Sequence, residues 1–305
     1  MYKLKIFVMR TLVSILGISL IIFILSSCKS EVTTNDDAGE IKDTTAVVNE
    51  HKENIVFIGL PSPIETSLIL QRAKVEYDDS FLNPPENREN YSSSFSQALN
   101  LGIYSADMCL ASMYNRSQKS AEYLTAIKKM SEDLGIMDVV DKSIFDRMEN
   151  NANEKDSLMH ILSEVTMNAE ISLKESDRKE TASTILIGGW IEGLYIITQI
   201  AKSSDNEELY MLIGDHRLSL GSLFKMLDEY PENEDFIKLR AELEPLKVAF
   251  DKLNVISTDI KVKTDIDAKT TTLSSENKAE MTEEALNEIA TVIKEIRNKI
   301  TEGQI

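Results

Sequence analysis

From Phe95 to Ile300 the apolar residues recur at intervals of three and four, and that spacing limits the chain to packed helices. The clearest stripe is Phe95, Ala98, Leu99, Gly102, Ile103, Ala106, Cys109, Leu110 and Met113. A second helix is expected over Ser117–Leu134, ending at Gly135 as a C′ glycine. A shorter one covers Met137–Asn150. Asn153 or Asp156 caps the next, whose stripe is Leu158, Ile161, Leu162, Val165 and Ala169. Thr184–Ala201 is apolar nearly all round, which marks a central buried helix. Leu209, Ile213, His216, Leu220, Leu223, Leu227 and Tyr230 form another stripe, and Phe236, Leu239, Leu243, Leu246, Phe250 and Leu253 continue it, with a kink expected at Pro245. Leu286, Ile289, Ile293, Ile296 and Ile300 close the chain as an amphipathic helix. The expected fold is all-α: about eight or nine helices in one domain, with a C-terminal helical hairpin. Residues 55–260 form the core domain, 261–277 a polar, Thr-rich linker, and 278–305 the C-terminal helix.

Upstream, Ile55–Ile58 is a short apolar run that Leu60-Pro61-Ser62-Pro63 stops. A helix is expected from Pro63 to about Tyr77, because proline is tolerated in a first helical turn. Asp78–Asn90, with Pro84, Pro85 and three asparagines, reads as a loop. Residues 29–54 carry no aromatic side chain and few large apolar ones, so they read as a flexible tether.

The first 27 residues have the three parts of a secretory leader. Lys3, Lys5 and Arg10 are basic, and Thr11–Leu25 is an uncharged stretch of fifteen residues. That is short of the roughly 20 apolar residues a transmembrane helix needs. Leu25-Ser26-Ser27-Cys28 resembles a bacterial lipobox. The resemblance implies that residues 1–27 are a signal peptide and that Cys28 becomes the lipidated N-terminus. Two or three acyl chains hold a protein stably on a bilayer. Lys29, where an enterobacterial inner-membrane lipoprotein has Asp, points by the same resemblance to the outer membrane. The expected location is the cell envelope.

The formal charge is −18, and losing the three leader cations makes it −21. Such a chain repels nucleic acid and anionic lipid. Cys109 is the only thiol besides Cys28, so no disulfide is expected within the mature domain, and Cys109 reads as an inert core residue.

Candidate chemistry concentrates on two polar lines. Thr184, Gly188, Glu192, Tyr195 and Gln199 share one narrow line of the otherwise apolar central helix, and Gln97, Asn100, Tyr104 and Asp107 share another on the Phe95–Tyr114 helix. A buried carboxylate has to be paired, hydrogen-bonded or protonated. If the lines converge, Tyr104, Asp107, Glu192, Tyr195 and His216 form a polar, ligand-binding pocket in a bundle core; the plainer alternative is a set of satisfied hydrogen bonds that fix packing. Gly189 and Gly193 suggest a close helix crossing. Asp156, His160 and Glu164 read as a solvated row. No zinc, di-iron, nucleophile-elbow or phosphate-loop motif is present, so neither metal nor cofactor is expected and no catalytic residue is assigned.

Six blocks, Leu60-Pro-Ser-Pro-Ile-Glu65, Leu82-Asn83-Pro84, Ala98-Leu-Asn-Leu-Gly-Ile-Tyr-Ser-Ala-Asp107, Tyr123-Leu124, Asp133-Leu-Gly-Ile136 and Ile187-Gly-Gly-Trp-Ile-Glu-Gly-Leu-Tyr-Ile196, resemble an all-α lipoprotein family of Bacteroidetes that has no established activity. They span roughly residues 55–200, and the resemblance implies fold and location only. The expected role is a non-catalytic interaction or scaffold lipoprotein, held on the membrane by Cys28 and meeting another envelope protein. The alternatives are a lipoprotein binding a small ligand in the bundle pocket, or a hydrolase using Glu192 with Asp107.

Overall fold

The computed structural model describes residues 60–137, 142–151, 154–164, 178–204, 206–257, 261–265, 270–274 and 277–305. The leader, Cys28, the tether, Ile55–Ile58, Asn153, Val165 and Ala169 lie outside them. The class is all-α, as the apolar periodicity requires. The helices are α1 (Pro63–Arg72), α2 (Ser94–Met113), α3 (Ser117–Asp133), α4 (Lys142–Asn150), α5 (155–164), α6 (Lys179–Ala201), α7 (Glu207–Asp228), α8 (Glu234–Asp251) and α9 (Glu283–Thr301). Two 3₁₀ turns, Asp79–Phe81 and Pro85–Asn90, shape the loop before α2.

Starts and stops follow local chemistry. Ser62, Ser93, Asn206, Asn233 and Thr282 cap helix starts by accepting backbone N–H groups. Helix α1 ends at Arg72 instead of near Tyr77, because Lys74 turns left-handed (φ 56°) and Val75 N–H closes back on the Leu70 carbonyl. The same closure ends α2 at Asn115 (φ 56°) and α3 at Gly135 (φ 64°). A left-handed Lys74 gives no glycine signal in the sequence.

The 261–277 stretch departs from a plain linker. β1 (Asn254–Ser257) pairs antiparallel with β4 (Asn277–Glu280), and β2 (Lys261–Asp265) pairs with β3 (Thr270–Ser274) inside them. Val- and Thr-bearing segments suit extended backbone, yet they show no apolar alternation by which a buried face could be recognised. The nested ribbons join α8 to α9, which run antiparallel: Lys252 pairs with Glu288 and Lys299 with Glu242. The expected C-terminal helical hairpin is therefore present.

Helix α6 is the centre. Of the described helices, it alone is long and apolar enough to cross a bilayer, but 83% of its apolar window is buried by the domain. It packs on α2, α7, α9 and α1. The α2–α6 contact is backbone on backbone. A Cβ at Gly188 would fall on the Leu99 carbonyl oxygen, and one at Gly102 would lie on the Ile185 carbonyl and 2.7 Å from the Gly189 nitrogen. The expected crossing is thus real, but Gly102 and Gly188 make it. Positions 189 and 193 have ordinary contact distances, 3.4 and 3.6 Å, to their nearest neighbours.

Gly188→Ala should force the two backbones apart and cost about 1–3 kcal/mol through overpacking. Gly221, in α7, has nothing within 4 Å of its would-be Cβ, so Gly221→Ala should stabilise by about 0.5–1 kcal/mol. Urea denaturation of both variants checks the pair, and equal effects would contradict the crossing.

Candidate functional site

Three of the five residues expected at a polar pocket, Asp107, Glu192 and Tyr195, gather around a partner that the sequence reading did not include, and Tyr104 lies beside them in the bed of the 82–91 loop. Glu192 is fully buried, and Arg297 of α9 clasps it with two hydrogen bonds, Nε–Oε2 at 2.9 Å and Nη2–Oε1 at 3.0 Å. The same Nη2 donates to the Phe81 carbonyl at 3.1 Å. The guanidinium lies 4.7 Å from the centre of the Tyr195 ring, so the aromatic face covers it.

Asp107 completes the cluster and is also fully buried. Its Oδ2 accepts the Asn83 N–H at 3.1 Å. Burial, and next the charge on Glu192, hold its carboxyl well above the usual range, against the opposing pull of Arg297. Both causes favour the neutral acid over the carboxylate at this position. Its Oδ1 has no hydrogen-bond partner, so it is the oxygen free to carry a proton. Burial alone would lower Arg297, and the Glu192 carboxylate more than reverses it. One cation, one anion and one neutral acid leave the cluster without net charge.

The neighbouring polar groups hold a loop and a helix end. The Tyr104 hydroxyl donates to the Pro84 carbonyl at 3.0 Å, and the Tyr123 hydroxyl to that of Asn83 at 3.1 Å. Gln97 reaches the Tyr91 carbonyl. Asn100 donates to the Ile300 carbonyl at 3.1 Å, while Tyr91, which accepts from Asn83, donates to that of Thr301 at 3.3 Å. The Thr301 carbonyl is satisfied this way, and that of Ile300 also accepts the Gly303 N–H. The polar line on α2 is thus the bed for the 82–91 loop, and the line on α6 is the seat of α9, where Gln199 also bonds the Ala290 carbonyl.

His216 is the exception. It lies apart from the acids, its ring 5.3 Å from that of Trp190 and its Nδ1 2.9 Å from the Leu212 carbonyl. Burial pushes its pKa down to about 4, so it is a neutral core histidine. The polar cluster is no open pocket: Asp107 and Glu192 are fully buried, and neither of the two main cavities among the described residues is lined by any of the five. Asp156 and His160 face solvent as expected, and Glu164 makes a two-pronged ion pair with Arg147. Cys109 is buried, and its thiol is pushed up to about 12 by burial. Among the described residues no group of three metal-ligating side chains occurs.

Asn83, Tyr91 and Arg297 are the residues that sequence reasoning missed; Asn100 belongs to the expected polar line of α2 but not to the expected pocket. A signal for Arg297 existed: it sits four residues after Ile293 and three before Ile300, so a cation occupies the apolar stripe of α9. Comparison with known protein families, characterised proteins and solved structures finds no match for this chain.

Two carboxyls sharing one negative charge should be able to exchange it. In Glu192→Gln, Asp107 can ionise against Arg297, so the loss should stay near 1–2 kcal/mol. Asp107→Asn keeps the hydrogen bond from Asn83 and leaves the ion pair intact, so it should cost less than about 1 kcal/mol. The double variant strands Arg297 without an anion and should cost about 3–5 kcal/mol, well beyond the sum. Additive losses in a double-mutant cycle would contradict the shared charge.

The pH dependence separates Asp107 from His216. Below pH 6.5 the unfolded chain protonates His216 while the native state refuses the proton down to about 4. His216 thus makes stability rise with pH across that window, by up to about 1.4 kcal/mol per unit. Asp107 keeps its proton in the native state and loses it on unfolding above the usual carboxylate range, so it makes stability fall as pH rises. Relative to wild type, Asp107→Asn should steepen the rise between pH 4 and 6.5, and His216→Asn should flatten or invert it. Denaturant midpoints across that range decide the signs.

Proposed function

We propose that this chain is a lipoprotein of the bacterial envelope, anchored through lipidated Cys28 and acting as a non-catalytic interaction or scaffold protein. One observation carries the non-catalytic part: Glu192, the acid on which a ligand site or a hydrolase would depend, is sealed and paired with Arg297. Asp107, its would-be catalytic partner, is fully buried and accepts the Asn83 N–H, with no exposure to water. A reaction on this pair would need the 82–91 loop and α9 lifted off together. The leader supports the anchor: a basic start, fifteen uncharged residues, then Leu25-Ser26-Ser27-Cys28. Net charge speaks against nucleic acid as partner, and the resemblance to the Bacteroidetes lipoproteins accords with this location.

A partner would meet the helical surface. Met211 and Leu218, two turns apart on α7, are 48% and 57% exposed, which makes them good sites for a photocrosslinking residue.

Two measurements test the reading. Metabolic labelling with palmitate should mark the wild-type protein and leave Cys28→Ser unmarked as an uncleaved precursor; equal labelling would overturn the anchor. Photocrosslinking in intact cells from Met211 and Leu218 should give one discrete adduct, with Glu192→Gln protein behaving as wild type. An activity or ligand response that disappears in folded Glu192→Gln protein would overturn the non-catalytic reading.

A further inference from the structure

We propose that a cavity enclosed by α2, α3, α4 and α6 binds a single hydrocarbon chain. The cavity measures about 230 Å³, and its walls are apolar. Met108, Cys109, Phe145 and Met148 form its depth, and Leu60–Ile64, leading into α1, borders it where side chains are only half buried. Among the described residues no charged side chain lines it. Its polar side chains are three serines: Ser105 donates to the Leu101 carbonyl, Ser62 accepts the Glu65 N–H, and Ser131 lies among apolar neighbours. Three scattered hydroxyls in an otherwise apolar wall do not form a head-group site, so the buried part of the ligand is hydrocarbon.

Size and plasticity narrow the class. An apolar cavity of about 150 Å³ stays dry and holds one benzene ring, so this one suits roughly nine or ten carbons. Well-packed interiors seldom leave such a volume empty. A second cavity, of about 270 Å³, lies beyond Met108, Leu124 and Met148, which line both. Methionines shift rotamer readily, so a longer chain can pass between them. The outer cavity also carries Glu149, whose carboxylate can accept from an uncharged head such as a hydroxyl, while its Ser120 and Thr125 hydroxyls already donate to the Arg116 and Ala121 carbonyls. A straight chain fits this two-chamber path better than a rigid ring system does. The site is separate from the Glu192 cluster and does not depend on lipidation of Cys28.

The test is photolabelling of the full-length protein. One arm uses a twelve-carbon alcohol carrying a mid-chain diazirine; the other uses vesicles of phosphatidylcholine carrying the diazirine in an acyl chain. Label is expected to saturate, to map to residues 101–109 and 142–150, and to be displaced by excess unlabelled dodecanol. Labelling in the first arm identifies a free amphiphile, and labelling in the second an acyl chain drawn from the bilayer; either supports the site. Ala182→Phe, which fills the cavity from α6, should abolish the label in protein whose melting curve remains cooperative. If that variant does not fold, Cys109→Leu provides a smaller plug with the same expected loss. Label that never saturates, that spreads over exposed peptides, or that persists in a folded, plugged variant would overturn the proposal.

Discussion

Taking Arg297 and Glu192 out of water costs several kcal/mol per ion, and the geometry around them is what makes that tolerable. Two parallel N–H···O bonds, a carbonyl from Phe81 and the Tyr195 ring replace the water that the guanidinium loses. The second acid, Asp107, avoids a second desolvation cost by keeping its proton. The structure therefore relies on one ion pair and one neutral acid, and each hydrogen bond of that trio fixes a different piece of chain. Asn83 comes from the loop, Glu192 from α6 and Arg297 from α9, 105 residues beyond Glu192. Such clusters specify a unique arrangement more than they stabilise it, because an apolar set of equal volume would tolerate several placements of α9.

The second constraint is the glycine contact between α2 and α6. With Gly102 and Gly188 at the crossing, the two backbones touch, and the polar lines of the two helices come within reach of the same loop and the same C-terminal helix. A larger residue at either position would separate Asp107 from Glu192 as well as the helices that carry them. Packing and electrostatics are thus one design, since the crossing sets how near Asp107 lies to the Glu192–Arg297 pair.

The helices were legible because each buries one face, and burial writes a period of three to four into the sequence. The stop at Lys74 was not, because a left-handed lysine leaves no compositional mark. Nor were the ribbons at 254–280, where backbone pairing does not need apolar alternation. In the site, Glu192 and Asp107 stood out as acids among apolar neighbours, and they do meet. His216 stood out by the same rule and does not join them, because a neutral imidazole can be buried with a single backbone acceptor and needs no charged partner. Arg297 shows the missing step. An acid in an apolar helix implies a cation somewhere on another apolar stripe, and the chain has one in α9.

The two sides of the α2–α6 pair differ in how they exclude water. On the side of α9 the ion pair and a set of directional hydrogen bonds fix the positions. On the side of α4 the lining is mostly hydrocarbon and methionine, and Met108, Leu124 and Met148 line both cavities. Polar networks resist repacking because each displaced group loses a specific partner, whereas apolar contacts are non-directional and can reform in several ways. Any adaptation of this domain to a bound molecule therefore falls on the α4 side. The Asp107–Glu192–Arg297 side keeps α2, α6 and α9 in place while it happens, so a scaffold can hold its outer surface constant with its cavity either filled or empty.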